Sequence, residues 1–135
     1  MIAALCLDDR GGLSFNRRRL SRDRAQQEDL LSLCQGAPLW LAPCSAPLFD
    51  WAADRVCVDG ALLDRAGDGE ICFLEDRLPP MEAVEGLILY RWNRAYPADV
   101  HFRPDLSGFT LAEQTEFPGT SHEAITREIY LRKEC

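Results

Sequence analysis

The chain has 135 residues, 47% hydrophobic and 27% charged, with a formal net charge of -7. That length fits one domain with its own core, spanning residues 1–135. No apolar run approaches the ~20 residues needed to cross a bilayer, and an acidic body repels nucleic acid at long range, which excludes a general nucleic-acid binder.

In chain order, "IAALCL" (2–7) is a continuous apolar run, the mark of a strand buried on both faces. It is followed by "RGGLSFNRRRLSRDR" (10–24), where six arginines and one aspartate give +5 and leave -12 for the rest of the chain. Ser21 and Asp23 are suited to cap a helix that continues through "AQQEDLLSLC" (25–34) and stops at Gly36. "PLWLA" (38–42) reads as a strand, and "SAPLFDWA" (45–52) as a short helix interrupted by Pro47. "DRVCVD" (54–59) is a strand, "ALLDRAG" (61–67) one or two helical turns, and "EICFLE" (70–75) another strand. "LPPMEAVEG" (78–86) is a turn or very short helix before the strong strand "LILYRWN" (87–93). "FTLAEQTEF" (109–117) and "AITREIYLRK" (124–133) both alternate, joined by "PGTSHE" (118–123), which predicts a terminal antiparallel hairpin. Strand–helix repeats followed by a hairpin give an α/β domain: one mixed, mainly parallel sheet with helices on both faces.

The six cysteines, Cys6, Cys34, Cys44, Cys57, Cys72 and Cys135, are scattered with no C-x-x-C pair. Cys6, Cys57 and Cys72 lie inside apolar runs, where cysteine acts as a small hydrophobe. "MIAALCLDD" lacks the length and basic start of a secretory leader, so reduced thiols and a cytoplasmic location are expected. With only His101 and His122, a histidine-built metal centre lacks ligands, an H-x-H-x-D-H nuclease included, and no metal is expected.

The order of pieces resembles dihydrofolate reductase. The opening "IAALCLDDRGGLSFN" has the family's strand, acidic residue, glycine-containing loop and asparagine, here Asn16. The end, "LILYRWNRAYPADVHFRPDLSGFTLAEQTEFPGTSHEAITREIYLRK", has the layout of its last three strands: a strand, a short "PADVHF" link, a Pro-x-Leu-x-x-Phe approach, a loop and a final "EIY" strand. The resemblance spans nearly the whole chain, in a shortened form, and implies the fold and a nucleotide-dependent reductase as ancestor.

Position by position, it also implies that the reductase chemistry is lost. The family's Leu-Pro-Trp after the asparagine is here "RRRLSRD". Its helix carboxylate that faces the pterin falls on Gln26 or Gln27, with Asp23 and Glu28 as the nearest acids; an amide cannot hold a charged pterin or assist proton delivery. The Gly-Arg-x-Thr that meets coenzyme phosphate appears as "APCS", keeping only the Ser45 hydroxyl, and the Gly-Gly turn is replaced by Glu75 and Asp76. Tyr90 stands where the family has a pterin-facing threonine.

The leading expectation is therefore a catalytically degenerate protein of this fold that binds a small anionic ligand or a protein partner around Asn16, Arg17, Arg18, Arg22, Gln26, Ser45 and Tyr90, without a cofactor. Guanidinium groups pair two-point with phosphate or carboxylate. One alternative is an active NADPH-dependent reductase of dihydrofolate or a related heterocycle, with Asp23, Gln26 or Glu28 as the catalytic candidates. Another is an assembly or regulatory subunit with no small ligand. A Ser–His–acid set can be written from Ser45 and His122, but no G-x-S-x-G elbow supports it. His122 is expected to order its loop through a hydrogen bond.

Overall fold

The computed structural model describes residues 1–133, so Cys135 lies outside the described residues. The strands are β1 (Ile2–Leu7), β2 (Gly12–Phe15), β3 (Arg18–Arg19), β4 (Leu39–Leu41), β5 (Val56–Val58), β6 (Ile71–Phe73), β7 (Gly86–Arg91), β8 (Val100–His101), β9 (Phe109–Phe117) and β10 (Ile125–Arg132). The helices are α1 (Arg24–Leu33) and α2 (Leu62–Arg65), with a kinked 3-10 segment over Pro43–Arg55. Seven strands form one sheet in the order β5-β4-β6-β1-β7-β10-β9. Strands β1, β4, β5, β6 and β7 run parallel, while β10 is antiparallel to both β7 and β9. This is the mixed, mainly parallel sheet with a terminal hairpin that the residue pattern implies.

β1 lies at the centre, with Ile2 level with Ile71 on one side and Gly86 on the other. A parallel strand with neighbours on both edges and cover on both faces must be apolar on both. Its alternate residues accordingly enter two cores. Ala4 joins Leu30 and Leu31 of α1, Phe49 of the 3-10 segment, Phe73, Ile88 and Tyr90. Ala3, Leu5 and Leu7 join Leu62 of α2, Leu13, Leu74, Leu87, Leu89 and Phe102 on the other face. Burying each such leucine is worth roughly 1.5–3 kcal/mol relative to leaving it in water.

Asp23 caps α1: its backbone is extended (φ -155) and its carboxylate accepts from the Ala25 amide at 2.9 Å. The helix ends where Gln35 and Gly36 turn left-handed, with φ of 48 and 90. The 3-10 segment starts at Pro43, contains Pro47, and loses helical geometry at Phe49 and Ala52.

The arginine stretch is not an unstructured loop. Gly12–Phe15 and Arg18–Arg19 pair as a hairpin, and β8 adds a third strand to make a separate small sheet. The turn residues are Asn16 and Arg17, both at positive φ (50 and 62), the signature of a two-residue turn that matches strand twist. Asparagine tolerates that conformation, while a branched-free but bulky arginine at the second position is strained by about 1 kcal/mol. The arrangement holds because Asp99 accepts from the Asn16 amide at 3.0 Å and Asp8 ties down the base of the hairpin. Burial raises the Asp8 carboxyl, but three backbone amides, from Tyr96, Gly12 and Arg10, outweigh it and hold the pKa below its ordinary value.

Candidate functional site

The hairpin projects Arg17, Arg18 and Arg19 over the ends of β4 and β6. Together with Ser21, Arg22, Cys44, Glu75 and Asp76 they line a cleft of about 590 Å³. Its two acids are already matched. Arg19 grips Glu75 with Nε at 2.8 Å and Nη2 at 3.1 Å, and the same Nη2 donates to the Cys44 carbonyl at 2.9 Å. Ser45, fully buried, donates to Glu75 at 2.7 Å. Arg77 grips Asp76 at 2.9 Å through both Nε and Nη2, and this is the main cause of a lowered Asp76 pKa. Among the described residues, Arg17, Arg18 and Arg22 form no ion pair with a carboxylate. The cleft therefore presents three uncompensated guanidinium groups.

A second cluster adjoins it through Ser21. Asp23 is buried and receives five donors: the Ala25 amide at 2.9 Å, the amides of Thr120 at 2.9 Å, Ser121 at 2.7 Å and His122 at 3.1 Å, and His122 Nδ1 at 3.0 Å. Burial pushes this carboxyl up, but the donors prevail, with the Thr120 amide and the His122 ring foremost, and bring it to about 2. The imidazole stacks on Trp92 with ring centres 4.5 Å apart. Its Nε2 lies 3.0 Å from both Ser21 Oγ and Tyr96 Oη. Gly119 permits the approach, since a Cβ there would sit 2.6 Å from Asp23 Oδ2.

A third cluster lies between α1 and the sheet. Asp29 accepts from the Tyr90 hydroxyl at 2.6 Å and from Arg127 Nη1 at 2.7 Å, while Arg127 Nη2 reaches Glu113. Tyr90 is fully buried, and burial first, then Asp29, raises its pKa strongly.

The residues singled out from sequence thus separate. Arg17, Arg18 and Arg22 share the cleft; Asn16 forms the turn that aims them and borders two smaller hollows beside it. Ser45 is behind the cleft wall, spent on Glu75, and makes no cap for the 3-10 segment, whose N-cap is Ala42. Tyr90 and Gln26 are inside the fold, Gln26 with its Nε2 unpartnered among the described residues. Asp23 is a fully engaged helix cap, and Glu28 is exposed beside Arg24 at 3.5 Å. Serine 45 does not touch His122; Ser21 does. Sequence reasoning missed Asp29 altogether, although it lies three residues after Gln26, at helical spacing toward the sheet.

The fold and its cleft define a class: an α/β domain with a mixed, mainly parallel sheet and a hairpin-covered crevice beside the ends of β4 and β6. The similarity to solved structures makes it specific. The chain matches dihydrofolate reductase from Enterococcus faecalis complexed with NADP(H) and RAB-propyl, at a TM-score of 0.68 over 99% of this chain and 97% of that one, with 15% sequence identity. The chain has the dihydrofolate reductase fold. No protein-family model matches its sequence, and no curated protein is similar to it in sequence.

Proposed function

We propose that this protein binds a small anionic ligand, of phosphate or carboxylate type, between Arg17, Arg18 and Arg22, and that it no longer carries out NADPH-dependent reduction. The observation that carries this reading is the contrast within one cleft: Glu75 and Asp76 are neutralised by Arg19 and Arg77, while three arginines beside them lack a carboxylate. Guanidinium groups gathered around one cleft repel one another, and an anion shared between them relieves that repulsion with charge-assisted hydrogen bonds.

The residues at the ends of β4 and β6 do not fit a dinucleotide's diphosphate. Where close backbone approach is needed, Glu75 presents a carboxylate that is bonded to both Ser45 and Arg19. Arg19 itself spans from β6 to the Cys44 carbonyl after β4, closing that gap. The two acids named as reductase candidates are also committed elsewhere, Asp23 to five donors and Glu28 to an exposed pair with Arg24. The reading of an assembly subunit draws little support from the sheet edge. β9 carries Glu113 and Glu116 and an irregular register opposite Ile129 and Tyr130, devices that discourage edge pairing.

Inorganic pyrophosphate is the direct probe. At concentrations well above its dissociation constant it is expected to raise the melting temperature by about 5 °C or more. Arg18→Ala and Arg22→Ala should each melt like the wild type alone but lose that rise. An unchanged rise in both variants would place the anion elsewhere and defeat the reading.

A further inference from the structure

We propose that Ser21, His122 and Asp23 form a nucleophilic relay at the wall of the arginine cleft, and that the protein hydrolyses carboxylic esters bearing an anionic group. The substrate class rests on the anion-binding reading above; the relay does not.

The geometry is that of nucleophile, base and orienting acid in series. Ser21 Oγ is 3.0 Å from His122 Nε2, and His122 Nδ1 is 3.0 Å from Asp23 Oδ2. Both links fall in the range expected of a nucleophile hydrogen-bonded to its base and a base to its orienter. An ionised Asp23 can only accept, so the Nδ1 proton points to it and Nε2 keeps its lone pair toward Ser21. The ring cannot turn away, because it is buried and stacked on Trp92. Ser21, unlike its two partners, lines the cleft, in the company of Arg17, Arg18 and Arg22. The nucleophile is accessible where the base and acid are sheltered.

The chemistry closes without a further reagent than water. Ser21 Oγ attacks the ester carbonyl carbon and its proton moves to Nε2. The carbon–alkoxy bond breaks and the alcohol leaves with that proton. Water, deprotonated by Nε2, then attacks the acyl carbon, and Ser21 is released with its proton restored. The anionic end of the substrate is held by the arginines. Tyr96 Oη contends with Ser21 for the same lone pair, so its removal should increase the reactivity of the serine.

A neutral alkyl fluorophosphonate tests the relay apart from the arginines. It forms a bond from phosphorus to Ser21 Oγ with loss of fluoride, and peptide mass spectrometry locates the adduct. Wild type should be labelled at Ser21, Ser21→Ala should not, and Tyr96→Phe should label faster than wild type. In parallel, mono-p-nitrophenyl succinate and neutral p-nitrophenyl acetate are compared. Ser21→Ala should lower turnover of both by at least about 100-fold, while Arg18→Ala and Arg22→Ala should slow only the succinate ester. Absence of label at Ser21 in folded wild-type protein, or slower labelling of Tyr96→Phe, overturns the relay. Labelling with no preference for the anionic ester keeps the relay and overturns the substrate class.

Discussion

Asp23→Asn is expected to destabilise the protein by about 3 kcal/mol and lower its melting temperature by about 10 °C at neutral pH. The substitution keeps the shape of the side chain but replaces one accepting oxygen with a donating NH2. Oδ1 serves Ala25 and Thr120, and Oδ2 serves Ser121 and both the backbone amide and Nδ1 of His122. An asparagine can satisfy only one of those sets, so two or three buried donors lose their acceptor, each at about 1–3 kcal/mol before relaxation. The helix start and the β9–β10 connection both hang on this side chain, so the loss is not local. The acid profile gives an independent reading. Asp23 titrates at about 2 in the folded protein and near its ordinary 3.8 when unfolded. A lowered folded value means stability that is complete above the unfolded pKa and disappears as pH falls through the folded one. Wild-type protein should therefore lose about 2 kcal/mol of this contribution between about pH 4 and pH 2, and Asp23→Asn should lack that component. A variant that melts within experimental error of wild type would show that the five contacts do not hold the loop.

Asp29→Ala is expected to cost a similar amount, about 3 kcal/mol, by a different route. It strands a fully buried Tyr90 hydroxyl and removes the better of the two carboxylates facing Arg127. Arg127 is poorly placed to absorb the loss, since its Nε already has no partner among the described residues. Tyr90→Phe should cost only about 1 kcal/mol, because Asp29 keeps Arg127 at Oδ1 and the Oδ2 that loses the tyrosine belongs to a side chain still 20% exposed to water. The double variant should cost less than the sum of the singles, since Tyr90→Phe deletes one of the groups that Asp29→Ala orphans. Chemical denaturation of the four proteins checks this; simple additivity would mean the two side chains do not act together. Asp29 is not in the cleft lining, so pyrophosphate should still raise the melting temperature of the single variants.

The sheet was legible in the sequence because its parallel strands are short apolar runs, its two terminal strands alternate in residue type, and the turns between strands are marked by glycine, proline and acidic residues. "IAALCL" and "EICFLE" contain β1 and β6, "LILYRWN" contains all of β7 but Gly86, and "FTLAEQTEF" has the same bounds as β9. The small sheet was not legible. Its hairpin turn is Asn-Arg, without the glycine that would signal two positive φ values, and β3 is two arginines long. The clusters were hidden for a different reason. Asp23 and His122 are 99 positions apart, and Tyr90 is 61 from Asp29; nothing local requires such pairs, which only the stacking of α1 on the sheet brings together. Glu75 and Arg19 show how the two kinds of inference meet. The carboxylate in place of a glycine turn was visible from the family resemblance, whereas the arginine that answers it across the cleft emerges only from the fold.

The claim beneath this reading is that a dinucleotide's seat has been closed by the Arg19–Glu75–Ser45 contacts while the neighbouring arginines have opened a new anion site. Calorimetric titration of wild-type protein with NADPH, alongside inorganic pyrophosphate, tests it most directly. Saturable heat from pyrophosphate and none from NADPH is the predicted result. Saturable one-site binding of NADPH, undiminished in Arg18→Ala and Arg22→Ala, would contradict it.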